Sequence, residues 1–242
     1  MTWIYLSPHF DDVALSCGGL LREQSQSKEA VEVWTICAGE IPSGPLSSFA
    51  RSLHERWGTD SGMVEQRRAE DVRSCHHIGA GARHFDFPDC IYRRDLDSNA
   101  HLYASEEALF GELHPNENAL VAQLHDELTL EIPADAQVVA PLAVGGHVDH
   151  RLVRAAAQKL ELRLWYYADY PYIEYAGETV WDQLEKKEHC DFHISEAGLE
   201  AWVASIAAHA SQVSTFWSER EAMLAAIHAY HRRVGGVRLY RI

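Results

Sequence analysis

No two cysteines in this 242-residue chain are spaced as Cys-x-x-Cys, and the five present (Cys17, Cys37, Cys75, Cys90 and Cys190) are odd in number and scattered. That argues against a thiolate zinc site and against a disulfide framework, and for reduced, mostly buried thiols in a cytoplasmic protein. No apolar run approaches the roughly 20 residues needed to span a bilayer. The N-terminus, MTWIYLSPHF, lacks the basic-then-apolar order of an export signal. Positive charge is scarce: 21 Lys and Arg stand against 36 Asp and Glu, for a formal net charge of −15. Nucleic acids and anionic membranes both require basic patches, so neither is expected as a partner. The glycines of SCGGLL (16–21) do not form Gly-x-Gly-x-x-Gly, which leaves dinucleotide binding with little support.

A hydrophobic content of 47% over this length is enough for one good-sized core, and we expect a single domain over residues 1–242. Short β-branched and aromatic runs at 3–6, 31–37, 83–87, 137–143 and 163–168 read as strands. Helical patterns fall at about 13–26, 63–78, 117–131, 149–160, 195–210 and 218–232. This alternation predicts an α/β fold, a Rossmann-like three-layer sandwich around a mostly parallel sheet. The stretch 40–62, rich in Pro, Gly and Ser, reads as an irregular excursion beside the site, and 91–118 as a long insertion that shapes the pocket. In such folds ligands bind outside the carboxyl ends of strands.

One such end carries SPHFDDVAL (7–15), which packs His9, Asp11 and Asp12 into four positions. Two adjacent carboxylates repel one another, and a divalent cation removes the repulsion. Nitrogen from His9 and oxygen from Asp12 suit zinc, which in catalytic sites takes three protein ligands and leaves one position open. A second strand end carries GGHVDHRLV (145–153), with His147, Asp149 and His150. Either motif alone is equally a capped helix start. Two such motifs, each at a strand-to-helix junction and each with suitable donors, point to a metal site.

SPHFDDVALSCGG together with GGHVDHRLV resembles the PIG-L/LmbE-like family of zinc-dependent N-acetylglucosaminyl deacetylases, with further matches at RRAED (67–71), IGAGARHFDFPD (78–89), YYADYPY (166–172) and HASQV (209–213). The resemblance implies that His9, Asp12 and His150 are the metal ligands, Asp11 the general base and His147 a stabiliser of the developing oxyanion. It implies a substrate contact for Arg67, which on its own reads as a solvated partner of Glu70. Phe10 and Val148 replace prolines of the family motifs, and Val13 replaces a glutamate; none of these changes removes a donor atom.

The corresponding chemistry is hydrolysis of an amide. Zinc lowers the pKa of a coordinated water from about 15.7 to about 7, and Asp11, beside the metal but not on it, can take the water's proton and later pass it to the amine. A protonated His147 would donate to the oxyanion. Asp149 would orient His9 or His147, or cap the helix. Asp89 either lines the pocket or makes a turn, and Tyr170 and Tyr172 either wall a sugar ring or belong to the core.

The expected activity is removal of an N-acetyl or other N-acyl group from a small amino sugar or glycoconjugate, with Zn2+ as cofactor and Fe2+ or another divalent metal as the alternative. The rival readings are an amidase acting on a non-sugar N-acyl amine or thiol conjugate, and a silent family member that binds a glycan or metabolite without turnover. The apolar segment EAWVASIAAHASQV (200–213) suits either the core or the interface of a homo-oligomer.

Overall fold

The structure, a computed structural model, describes residues 1–57 and 62–242. Seven strands are found among them: β1 (Thr2–Ser7), β2 (Ala30–Thr35), β3 (Gly81–His84), β4 (Gln137–Pro141), β5 (Trp165–Tyr167), β6 (Glu188–Phe192) and β7 (Val237–Arg241). They form one sheet in the order β3-β2-β1-β4-β5-β7-β6. The first five run parallel, and β7 lies antiparallel between β5 and β6.

The helices are α1 (Asp12–Gln26), α2 (Ser48–Trp57), α3 (Met63–Ile78), α4 (Glu106–Leu109), α5 (Asn118–Glu131), α6 (Val148–Ala157), α7 (Tyr172–Tyr175), α8 (Glu178–Glu185), α9 (Glu196–Ala208), α10 (Ala210–Phe216) and α11 (Arg220–Val234). Those flanking the parallel strands pack in two groups, α1 with α3 and α9, and α5 with α6. The expected α/β class with a mostly parallel sheet is therefore observed, and each long helical pattern forms a helix within a few residues of its expected bounds.

Two parts differ from the sequence reading. The antiparallel edge, β6 and β7, carries two charged residues in each five-residue strand (EHCDF and VRLYR), which masks a pair that buries only Val237, Leu239 and Tyr240 well. The stretch 40–62 is not wholly irregular either. Ser47 Oγ accepts the Ala50 N–H at 2.9 Å and starts α2, whose Ala50 and Leu53 pack into a satellite core with Ile91 and Leu109. Residues 58–61 of that stretch lie outside the described residues.

The core runs along the sheet. Trp3 pairs with Val31, and Tyr5 with Val33, in a register that buries Ile4, Tyr5 and Leu6 almost completely. The apolar segment after 200 belongs to this core: Trp202, Val203 and Ile206 of α9 are buried. Its Trp202 Nε1 donates to Ala14 O at 2.8 Å, which closes α9 onto α1. All five cysteines are free, and all but Cys190 are buried. Among the described residues no helix is long and apolar enough to cross a membrane.

The sheet positions the site through its strand order. From β1 the chain proceeds outward through β2 and β3, then returns to the other side of β1 with β4. The crevice outside the carboxyl ends of β1 and β4 is therefore the switch point where α/β sheets bind ligands. Residues 9–12 and 147–150 both lie there.

Candidate metal centre and active site

The turn after β1 is tied to its own backbone. Ser7 Oγ accepts the Val13 N–H at 3.2 Å, and Asp12 Oδ2 accepts the His9 N–H at 2.7 Å. Asp11 is the first residue of the α1 cap and makes no capping bond with its side chain, so both carboxylates remain directed at the crevice. Across it, Gly145 and Gly146 take positive φ (90° and 81°), and a Cβ on Gly145 would lie 2.8 Å from Tyr172 Cβ. Only glycine fits this close approach. His147 then caps α6: its Nδ1 accepts the Asp149 N–H at 3.2 Å. The helix-cap reading of HVDH is thus correct and coexists with a site.

The two motifs meet at Asp12. Its Oδ2 is 3.2 Å from His9 Nδ1 and 3.3 Å from His150 Nε2. Metal–ligand bonds of about 2.0–2.1 Å place neighbouring tetrahedral donors about 3.3 Å apart, so both approaches to Asp12 have the spacing of donors that share a zinc-type ion. His150 is fully buried, and among the described residues its Nε2 has no partner besides Asp12, as expected of a nitrogen that shares a metal with that carboxylate. His9, His147 and His150 also offer nitrogens that all lie within 4.8 Å of one another.

Both of these histidines are backed by carboxylates. His9 Nε2 meets Asp149 Oδ2 at 2.9 Å, and His150 Nδ1 meets Asp169 Oδ1 at 2.6 Å. Such carboxylate–histidine pairs fix the ring and raise its basicity toward a metal. Arg93 and Glu117 extend the first pair inward, with Arg93 Nη2 at 2.6 Å from Asp149 Oδ1 and Arg93 Nε at 2.7 Å from Glu117 Oε1.

The electrostatics follow from this packing. Burial works against charge on His9 and His150, yet Asp12 and Asp149 lift His9 well above the usual imidazole range, and Asp12 and Asp169 lift His150 to about 9. Burial would raise the Asp12 carboxyl, but His150 and His9 outweigh it and hold it well below the usual range. The cluster is thus arranged to hold positive charge. Asp11 moves the other way, raised by burial and then by the Asp12 charge. His147 is pushed down to about 3 by burial and by the neighbouring His9 and His150. This corrects the expectation of a protonated His147. The ring is neutral, and because Nδ1 is an acceptor, Nε2 carries the proton.

The remaining candidates separate. Arg67 is buried, its guanidinium 5.3 Å from the Phe10 ring centroid and its Nη2 donating to Gln212 Oε1 at 2.8 Å. It lines the crevice, while Glu70 instead accepts from Ser211, so the solvated Arg67–Glu70 pair does not form. Asp89 does both things expected of it: it lines the crevice and accepts the Ile91 N–H at 3.1 Å. Tyr172 lines the crevice, its ring 5.7 Å from that of His150. Tyr170 does not; it is buried against Tyr230 at 4.4 Å.

Three residues near the site carry no assignment from sequence reasoning: Asp169, His209 and Gln212. Each falls in a stretch singled out for other reasons. An acidic residue just past a strand end is the available signal for Asp169. His209 is buried, and neither ring nitrogen has a hydrogen-bond partner among the described residues.

Residues 4–161 match the family described as GlcNAc-PI de-N-acetylase (PIG-L), and the chain belongs to that family. A 2'-N-acetylparomamine deacetylase of Niallia circulans is 28% identical over 203 residues, 76% of this chain and 73% of that protein. One from Streptomyces fradiae is 36% identical over 158 residues, 64% of this chain and 50% of that protein. Among solved structures, the zinc-inhibited form of a teicoplanin deacetylase superposes with a TM-score of 0.82 at 25% identity, covering 99% of this chain and 97% of that one. With the site described above, these likenesses define the chain as a hydrolytic, metal-dependent N-deacetylase.

Proposed function

We propose that His9, Asp12 and His150 hold a single divalent metal, zinc in the first instance, and that residues 1–242 act as one domain that removes the acetyl group from the nitrogen of an amino sugar or glycoconjugate. The observation that carries this reading is the approach of His9 Nδ1 and His150 Nε2 to Asp12 Oδ2, at 3.2 and 3.3 Å, from two motifs about 140 residues apart in sequence. Its relatives act on acetylated amino sugars: two are named for 2'-N-acetylparomamine, and the solved deacetylases for teicoplanin and the A40926 pseudoaglycone.

When bound, the metal supplies Lewis acidity, which makes water acidic near neutral pH and draws charge from the amide carbonyl. The side chains supply the rest. Asp11 accepts the proton that water loses as its oxygen bonds to the carbonyl carbon. It then delivers that proton to the amide nitrogen as the C–N bond breaks, leaving acetate and the amine. The raised pKa of Asp11 suits a group that must both take and return a proton. His147 donates from Nε2–H to the oxygen on which charge develops. A neutral donor suits this task, since it gives a hydrogen bond without adding a positive charge beside the metal. Asp149 and Asp169 hold His9 and His150 in orientation, and Arg67, Asp89 and Tyr172 bind the sugar.

Elemental analysis of the purified protein tests the metal, alongside acetate release from N-acetylglucosaminides. We expect about one divalent ion per chain, lost or much weakened in His150→Ala. Failure to retain any metal after zinc is added and the excess removed would end this reading, whatever the activity.

A further inference from the structure

We propose that His209 is a positioning residue for Asp11: its neutral imidazole gives an N–H that holds the Asp11 carboxylate turned to the crevice, free to carry the proton and off the metal. This rests on the reading of Asp11 as the base and adds the group that keeps it in that role.

His209 joins α9 to α10, in a stretch laced to one face of α3. Ser205 Oγ lies 2.7 Å from Ser74 Oγ, and Ser211 Oγ donates to Glu70 Oε2 at 2.6 Å. One residue further on, Gln212 accepts from Arg67 and lines the crevice with Asp11. The His209 backbone is held from both sides. Its N–H donates to Ile206 O at 3.1 Å, and its own oxygen accepts the Gln212 and Val213 N–H groups at 2.9 and 3.0 Å. The ring is thus carried on a fixed mount. It is 1% exposed, yet among the described residues neither ring nitrogen has a hydrogen-bond partner. A neutral imidazole carries one N–H, and a buried donor without an acceptor costs more than a made bond gains. An orphan of this kind beside an active site calls for a partner that the working enzyme supplies.

Three carboxylates act on the ring, Asp11 most strongly, then Asp71 and Glu70, with Arg67 opposing them. Burial outweighs the carboxylates and holds the imidazole below its usual range, so it is neutral. Two of the three carboxylates are engaged elsewhere. Asp71 Oδ2 is 2.8 Å from His84 Nε2 and accepts from Thr35 Oγ1 at 3.1 Å, and both Glu70 oxygens accept the Ser211 N–H. Asp11 makes no capping bond on α1 and lines the crevice. Of the groups that lower Asp11, His209 acts ahead of Arg67 and His9. Catalytic hydrogen bonds tighten when metal and substrate are in place. A neutral donor then orients the carboxylate without the loss of basicity that a cation beside it imposes. With the donor gone, Asp11 can turn toward the metal that Asp12 holds.

The test uses the zinc-loaded protein, with acetate release from an N-acetylglucosaminide and the His209 ring N–H followed by NMR. In His209→Phe we expect metal at the wild-type stoichiometry, KM within about twofold and kcat lower by about 10–100-fold. The amides of His209→Asn and His209→Gln place an N–H near Nδ1 and Nε2 respectively, and one of the two should regain about fivefold. On an Asp11→Asn background, His209→Phe should change kcat by less than about twofold, since the group it positions is gone. The His209 N–H resonance should move in Asp11→Asn and stay in place in Asp89→Asn. Should His209→Phe not fold, the two amide variants and the resonance carry the test. An equal fall in kcat on the Asp11→Asn background, loss of metal in folded His209→Phe, or no gain from either amide would overturn the positioning role and leave the deacetylase reading intact. If no N-acetyl sugar is cleaved but the resonance moves with Asp11→Asn, the pairing stands and the deacetylase reading falls. No cleavage and an unmoved resonance would remove both.

Discussion

Arg93 Nη2 and Asp149 Oδ1 lie 2.6 Å apart, with both side chains almost wholly buried. The pair joins the insertion after β3 to the start of α6 and ends on a proposed metal ligand, since the other oxygen of Asp149 holds His9. Burial alone would push the Asp149 carboxyl up; Arg93 and His9 reverse this and keep it well below the usual range. Glu117, on the far side of Arg93, stays raised by burial despite the same guanidinium. Arg93 thus spans both carboxylates, and through Asp149 it keeps the His9 ring turned.

Removal of the guanidinium should therefore do two separable things. Arg93→Met leaves two buried carboxylates without a cation and should cost about 3–5 kcal/mol of stability. It should also weaken metal binding by about 10–100-fold, because Asp149, without Arg93, is no longer held as an oriented carboxylate against His9. Arg93→Lys restores a charge but not the fork that spans Asp149 and Glu117, so it should recover more stability than metal affinity. Chemical denaturation reads the first effect and competition with a chelating dye the second. A Lys variant that regains neither would count against the relay.

Asp169 plays the matching part for the other histidine. Its Oδ1 holds His150 Nδ1 at 2.6 Å, and its Oδ2 accepts the Val144 N–H at 2.8 Å. Asp169→Asn keeps the size and one acceptor but loses the charge. Metal affinity should fall by about 10–100-fold with little change in fold, as read by chelator competition and circular dichroism. Unchanged affinity would mean that the His150 ring is fixed by packing alone.

The legible part of this site was its donors, and the illegible part was their support. His9, Asp11, Asp12, His147 and His150 were readable because carboxylates and imidazoles beside predicted strand ends are chemically unusual there. Arg93, Glu117 and Asp169 were not, because a buried ion pair leaves no periodic mark. Arg93 sits in RRD and Glu117 in NEN, which read as surface charge. Tyr170 and Tyr172 show the same limit, since residues two apart in one short stretch face the core and the crevice respectively. The central strands β1 and β4 were legible as nearly continuous apolar runs buried on both faces, whereas β3 (GARH) is half exposed and polar. The antiparallel edge was not, because β6 is half exposed and charged. The departures from the family motif now have physical contexts: Phe10 is buried beneath Arg67, and Val13 is fully buried in the core.

SCGGLL, which is no dinucleotide fingerprint, has a packing role. A Cβ on Gly18 would lie 2.7 Å from Trp202 Cδ1, and one on Gly19 2.9 Å from Trp202 Cε3. The two glycines thus let the indole lie on α1. Trp202→Ala should cost about 3–5 kcal/mol through the cavity it leaves. Gly18→Val, which adds bulk where there is no room, should cost about 1–3 kcal/mol or more. Thermal and urea unfolding measure both. If Gly18→Val unfolds like the wild type, α9 moves more freely on α1 than this packing allows.

Asp11 and His150 should separate chemistry from metal binding. Asp11 lines the crevice beside the donor set but is not one of its members, so Asp11→Asn should retain metal at the wild-type stoichiometry. It cannot accept the proton from water, and kcat should fall by about 10²–10⁴. His150→Ala removes a member of the set, and metal and activity should be lost together. Restoring metal by raising its concentration should therefore recover activity in part for a ligand-support variant such as Asp169→Asn, but not for Asp11→Asn. Elemental analysis and amine release on the same preparations measure both quantities. If Asp11→Asn loses its metal, Asp11 belongs to the ligand set and the proton must be carried by another group. If it keeps both metal and full activity, no proton passes through Asp11.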